Sequence, residues 1–171
     1  MANHKMTTLV ALMFMTFSAL SASALGTVYI VRHAEKMLID KEPNPPLSEA
    51  GLKRAKDLAH VLRTAELKAI YVTEFKRTHE TAGPTADAMG LVPIPTKALE
   101  PEKLAEVLKQ KHSDESVLVV GHSNLTVLLK ALGVTDAVKV TENDYDNLFI
   151  VDQNGDGGAV LHKLHYGATS N

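Results

Sequence analysis

Apolar residues are distributed along this chain in two ways. Short unbroken runs rich in Val and Ile recur at residues 27–31, 68–72, 116–120 and 148–151, each followed by polar residues. Such runs predict buried strands. Between them the apolar positions are spaced by three and four. Leu52, Ala55, Ala59 and Leu62 share one helical face, which predicts a helix capped by Ser48 and running through about residue 65. Residues 76–89 predict a second helix, bent by Pro84 and stopped at Gly90. Pro101 suits a first helical turn, and Leu104, Val107 and Leu108 form the stripe of a third helix ending near His112. A fourth spans 124–132, with Gly133 at its end. Residues 148–151 and 159–164 predict two strands joined by the polar segment 152–158. Pro43, Pro45 and Pro46 keep the 40–46 segment out of helix and sheet interior. The alternation of strands and helices predicts an α/β fold.

The amino terminus departs from this pattern. His4 and Lys5 precede an apolar stretch at 9–20, and Ser21-Ala22-Ser23-Ala24 follows with small residues, which predicts a secretory signal peptide over 1–24. Thr16 and Ser18 interrupt the stretch, which falls short of the ~20 apolar residues of a membrane span. Cleavage after Ala24 leaves a mature domain at 25–171, periplasmic or secreted, with no stable membrane insertion.

A formal charge of −2 gives no electrostatic footprint for nucleic acid, so a small phosphorylated ligand is the better match. The chain has no cysteine, which excludes disulfides, thiolate catalysis and Cys-ligated zinc. No internal repeat or shift in composition marks a second domain.

Three segments then carry the chemistry. Arg32-His33-Ala34-Glu35 follows the first strand directly, and Gly121-His122-Ser123-Asn124 follows a later one in the same way. Chemistry in open α/β sheets gathers beyond the carboxyl ends of strands. Between these segments, Arg77 stands at the start of the second helix, where free N–H groups favour anions. A neutral imidazole is a competent nucleophile and a guanidinium grips phosphate oxygens. Each residue has an ordinary alternative: His33 bonded to backbone in a core, Arg77 paired with Glu74 or Glu80, His122 simply ending a strand. Three such pieces in order are a far less common accident.

Together, Arg32-His33-Ala34-Glu35, Arg77-Thr78-His79-Glu80-Thr81-Ala82 and Val120-Gly121-His122-Ser123-Asn124 resemble the RHG/RHAE, RTxxTA and GHS signatures of the histidine phosphatase superfamily, the phosphoglycerate mutase-like proteins. The resemblance implies a three-layer α/β/α sandwich with a mostly parallel central sheet. It also implies a phosphoric monoester hydrolase of the histidine acid phosphatase type, working without metal or other cofactor on a small phosphorylated substrate or a phosphoprotein. His33 would become phosphohistidine while Arg32, Arg77 and His122 hold the phosphate. Family members take the leaving-group proton from an acid on the loop after the RTxxTA helix; here Glu100 is the candidate, with N-capping of the next helix as its other role and Glu102 and Glu74 as competitors. The chain has little beyond the core, which favours hydrolysis over a mutase. A non-enzymatic phosphate-binding protein would lack the nucleophile that this chain retains.

Other features are discounted. Asp152, Asn154 and Asp156 resemble the start of a calcium loop, but Lys163 stands where a bidentate glutamate belongs. His162 and His165 alternate along a strand as exposed residues do. His79 either lines the pocket or faces solvent.

Overall fold

The computed structural model describes residues 26–154 and 158–170. The expected signal peptide and residues 155–157 of the 152–158 turn lie outside these residues. The described chain runs β1 (Thr27–Arg32), α1 (Glu49–Val61), β2 (Ala69–Thr73), α2 (Lys76–Met89), β3 (Ile94–Thr96), α3 (Pro101–Lys111), β4 (Ser116–Gly121), α4 (Leu125–Ala131), β5 (Asn147–Gln153) and β6 (Ala159–His165).

These strands form one sheet in the order β3-β2-β4-β1-β5-β6. β1, β2, β3 and β4 run parallel, while β5 and β6 add an antiparallel hairpin at one edge. Helices cover both faces. Leu104, Ala105 and Leu108 of α3 and Leu125, Leu128 and Leu129 of α4 pack with Val28, Ile30, Val117 and Val119. On the opposite face, Leu58 of α1 and Ala82 and Ala86 of α2 pack with Val31, Ile70, Val72, Leu118 and Val120. Alternate residues of one strand thus feed two cores, which is why the parallel strands read as unbroken apolar runs. The result is the expected α/β/α sandwich.

Two local expectations change, and one helix keeps its expected bounds. α1 ends at Val61 rather than near 65, because Leu62 caps it by donating to Leu58 O and Glu66 takes a positive φ of 49°. α2 is continuous across Pro84 and closes as expected on Gly90 in the left-handed region. The β3 strand was not expected, since Pro95 interrupts a weak run; it is an edge strand, where a missing N–H is tolerated.

Candidate active site

The site forms where β1 and β4 end side by side. Arg32 is in register with Gly121, and His33 N donates to Gly121 O at 2.9 Å, so the two histidines that follow these strands are brought together. Their ring centroids are 5.3 Å apart in an edge-on arrangement. Arg77 enters from α2 on the far side of β4. A cavity of about 300 Å³ is lined by Arg32, His33, Arg77, His122, Ser123 and Glu142, among others.

The signature threonines fix this geometry. Thr81 Oγ1 accepts from Ala34 N at 2.9 Å and donates to Arg77 O at 2.7 Å, tying the residue beside His33 to the first turn of α2. Thr78 Oγ1 donates to Phe75 O at 2.8 Å and holds the start of that helix. Both threonines are fully buried, so these bonds are shielded from water. In the sequence this segment stands out for Arg77; in the fold its threonines are the struts that aim Arg77 at His33.

His33 is 3% exposed, and its Nδ1 lies 2.8 Å from Ala34 O. A carbonyl only accepts, so Nδ1 carries the proton and Nε2 keeps a lone pair. Burial pushes the His33 pKa down to about 3; the bond to Ala34 opposes this, and the charges of Arg32 and Arg77 reinforce it. The imidazole is therefore neutral at ordinary pH, the state a nucleophile needs.

His122 is neutral for related reasons. Burial, then the Arg77 charge, lowers its pKa to about 4. Arg77 Nη2 approaches His122 Nδ1 at 3.4 Å, and His122 Nε2 lies 2.8 Å from Thr73 Oγ1. Since guanidinium only donates, Nδ1 accepts and the Nε2 proton goes to Thr73. Phe75 sits edge-on to His122 at 5.2 Å and beneath the Arg77 guanidinium at 4.3 Å, fixing both.

Each of the two arginines keeps a buried Nε donor in reserve. Arg32 is 3% exposed and stacks on Tyr145 at 4.5 Å. Its Nε, like the Nε of Arg77, is buried with no protein acceptor. A buried guanidinium N–H without a partner is costly and rare, and at the edge of a cavity it suits an incoming anion. An anion held there meets two guanidinium groups and two imidazoles.

Arg32, His33, Arg77 and His122 thus come together as expected, but Glu100 does not join them. It pairs with Lys103 at 3.0 Å and faces a neighbouring cavity shared with Tyr71, Lys97 and Lys111. Glu100 sits at the N-cap of α3 without a side-chain capping bond. The turn into α3 directs its side chain along that helix. Glu102 is exposed on α3, and Glu74 accepts from Ala98 N at 2.8 Å outside the cavity lining. His79 is exposed, and His162 and His165 pair with Asp152 and Asp146. No metal-binding cluster occurs among the described residues. Phe75, Ser123, Glu142 and Tyr145 are site neighbours that the sequence motifs did not single out. Only Ser123 had a signal, as the last residue of the GHS segment.

Comparison with known proteins agrees with this geometry. The sequence model of the histidine phosphatase superfamily (branch 1) matches residues 28–102, which include Arg32, His33 and Arg77. His122 lies beyond that match and is joined to the site by the β1–β4 pairing. No curated protein matches the sequence significantly. Among solved structures, the protein histidine phosphatase SixA complexed with tungstate is 19% identical with a TM-score of 0.64, over 81% of this chain and 96% of that one. A mycobacterial glucosyl-3-phosphoglycerate phosphatase is 14% identical with a TM-score of 0.63, over 84% of this chain and 99% of that one. The chain therefore matches the histidine phosphatase superfamily in sequence over residues 28–102 and shares the fold of these solved phosphatase structures.

Proposed function

We propose that this chain is a phosphatase that transfers a phosphoryl group to Nε2 of His33 and then to water. The observation that carries the reading is the His33 imidazole, neutral, with Nδ1 tied to Ala34 O and Nε2 free, beside two arginines whose buried Nε groups are unpartnered. Phosphoryl transfer needs in-line positioning and stabilisation of charge on the equatorial oxygens. Arg32, Arg77 and His122 supply the second, and the Thr81 strut supplies the first.

In the first step the P–Nε2 bond forms as the bond to the leaving group breaks. In the second, water attacks phosphorus and His33 departs as neutral imidazole, releasing inorganic phosphate.

The leaving group narrows the substrate. Among the described residues lining the cavity the carboxylate is Glu142, which Ser123 and Arg32 hold below the usual carboxylate range and therefore ionised. An alkoxide needs a proton donor, whereas a protonated phosphoramidate nitrogen leaves as a neutral amine or imidazole. This favours a phosphohistidine-type substrate over an alkyl phosphate, and the SixA structure has a name in keeping with that class.

Hydrolysis rates on a phosphohistidine peptide and on an alkyl phosphomonoester test the reading. A preference of about a hundredfold for the peptide in kcat/KM is expected, the order of a general-acid contribution. Equal rates would remove the substrate class; transfer of phosphate to a second hydroxyl instead of water would make the chain a mutase.

We also propose that the chain is exported to the periplasm or beyond, on the support of the 9–20 apolar stretch and the small residues before Leu25. Amino-terminal sequencing of the protein from fractionated cells tests this, with Leu25 as the expected first residue.

A further inference from the structure

One phosphate-binding guanidinium already holds an anion belonging to the chain itself. Arg32 Nη2 donates to Glu142 Oε2 at 2.7 Å, and Nη1 donates to Thr141 O at 2.8 Å. The other Glu142 oxygen accepts from Ser123 Oγ at 2.6 Å. Both donors, Arg32 and Ser123, line the cavity beside His33. The Glu142 carboxylate therefore bridges two groups on the two sides of the site, as a phosphoryl oxygen would.

Glu142 is suited to being displaced. Its side chain is 76% exposed, so hydrogen bonds rather than packing hold it there. The turn that carries it is anchored independently: Thr141 N donates to Asp144 Oδ2 at 2.7 Å, and Tyr145 N and Asp146 N donate to Ser170 Oγ at 2.9 and 3.0 Å. Rotation of the Glu142 side chain alone would free Arg32 Nη2 and Ser123 Oγ while Thr141 O continues to hold Arg32 Nη1.

We propose that Glu142 is an internal competitor for the phosphate site, a resident carboxylate that the substrate phosphoryl group displaces and that returns when inorganic phosphate leaves. This rests on the reading of Arg32 as a phosphate ligand. The exchange favours a phosphoryl group, which reaches the Nε donors of Arg32 and Arg77 that Glu142 leaves unpartnered. Because the carboxylate repels and competes with any anion, it lowers the affinity for inorganic phosphate and keeps the product from occupying the site.

Calorimetric titration of tungstate and of inorganic phosphate into the wild-type protein, Glu142→Ala, Glu142→Gln and Arg32→Ala tests the proposal. Glu142→Ala is expected to tighten binding of both anions by about tenfold, the size of one charge–charge repulsion at short range in a partly solvated site. Glu142→Gln should tighten it too, because the amide neither competes as an anion nor repels one. Unchanged or weaker binding in both Glu142 variants would overturn the proposal and make Glu142 a support for Arg32. Arg32→Ala should bind at least tenfold more weakly than wild type; equal binding by these two proteins would overturn the phosphate-site reading itself. Because the measurement is of binding, it is independent of any assumption about the substrate.

Discussion

Arg32 and Arg54 are both 3% exposed and both paired with a glutamate, yet they are finished in opposite ways. Arg54 donates from Nε to both oxygens of Glu35 at 3.0 Å, from Nη2 to Glu35 Oε1 at 2.7 Å and from Nη1 to Tyr166 O at 2.9 Å. Every nitrogen of that guanidinium has a protein partner. The pair locks the loop after β1 to α1 and to the chain beyond β6, and Gly51 lets α1 approach, since a Cβ there would lie 2.1 Å from Glu35 O. Arg32 has a partner that is largely in water and a buried Nε with none. A saturated buried arginine is architecture; an unsaturated one at a cavity is available for ligand binding. The Arg-His-Ala-Glu signature contains half of each, Arg32 for the site and Glu35 for the frame.

The contrast can be broken by mutation. Arg32→Ala should lower kcat/KM by about a thousandfold, the upper range for loss of one charge-stabilising donor, while leaving the melting temperature near or above wild type. Arg54→Ala should reverse the pattern, destabilising the fold by about 3–5 kcal/mol as expected for a broken buried ion pair, with activity of the folded fraction nearly intact. Matched kinetic and thermal measurements decide it, and similar stability losses in both variants would erase the distinction. Thr81→Val lies between the two. Losing the bonds to Ala34 N and Arg77 O should cost about 1–3 kcal/mol and reduce kcat about tenfold, because both the frame and the aim of Arg77 are loosened.

A smaller effect is expected from pH. His33 and His122 have folded pKa values of about 3 and about 4 against an ordinary 6.5, so below 6.5 the unfolded chain binds more protons than the folded one. Their contribution favours folding above that value and is lost progressively as pH falls toward the folded pKa values. The drop in melting temperature between about pH 7 and about pH 4.5 should therefore be shallower in His33→Ala than in wild type. The smallest effect is expected for Glu100→Gln, whose exposed pair with Lys103 predicts a change in turnover of less than about twofold.

What could be read from sequence follows the range of the forces involved. The strands of the sheet's centre were legible because both faces are buried, which leaves an uninterrupted apolar run in β1, β2 and β4. β3 was not, because an edge strand of three residues with Pro95 in it carries little of that signal. Arg32, His33, Arg77 and His122 were legible because each stands at a strand end or helix start, where the topology itself delivers them to one place. Glu142 and Tyr145 come from the irregular stretch between α4 and β5, and their contact with Arg32 depends on the path of that loop. Glu100 illustrates the same limit from the other side: its place in the chain suggested the cavity, but the turn into α3 points it toward Lys103. Side-chain direction at a loop-to-helix junction is set by tertiary packing, which a linear pattern does not contain.

The covalent step on His33 is tested most directly by trapping it. Protein mixed with a radiolabelled phosphohistidine peptide or acyl phosphate, quenched within the first turnover and digested, should yield a base-stable, acid-labile label on the peptide that carries His33, at Nε2. The label should be absent in His33→Ala and should chase into inorganic phosphate in wild type. Turnover of the same substrate with no trapped label, or with undiminished turnover in His33→Ala, would contradict a phosphohistidine mechanism.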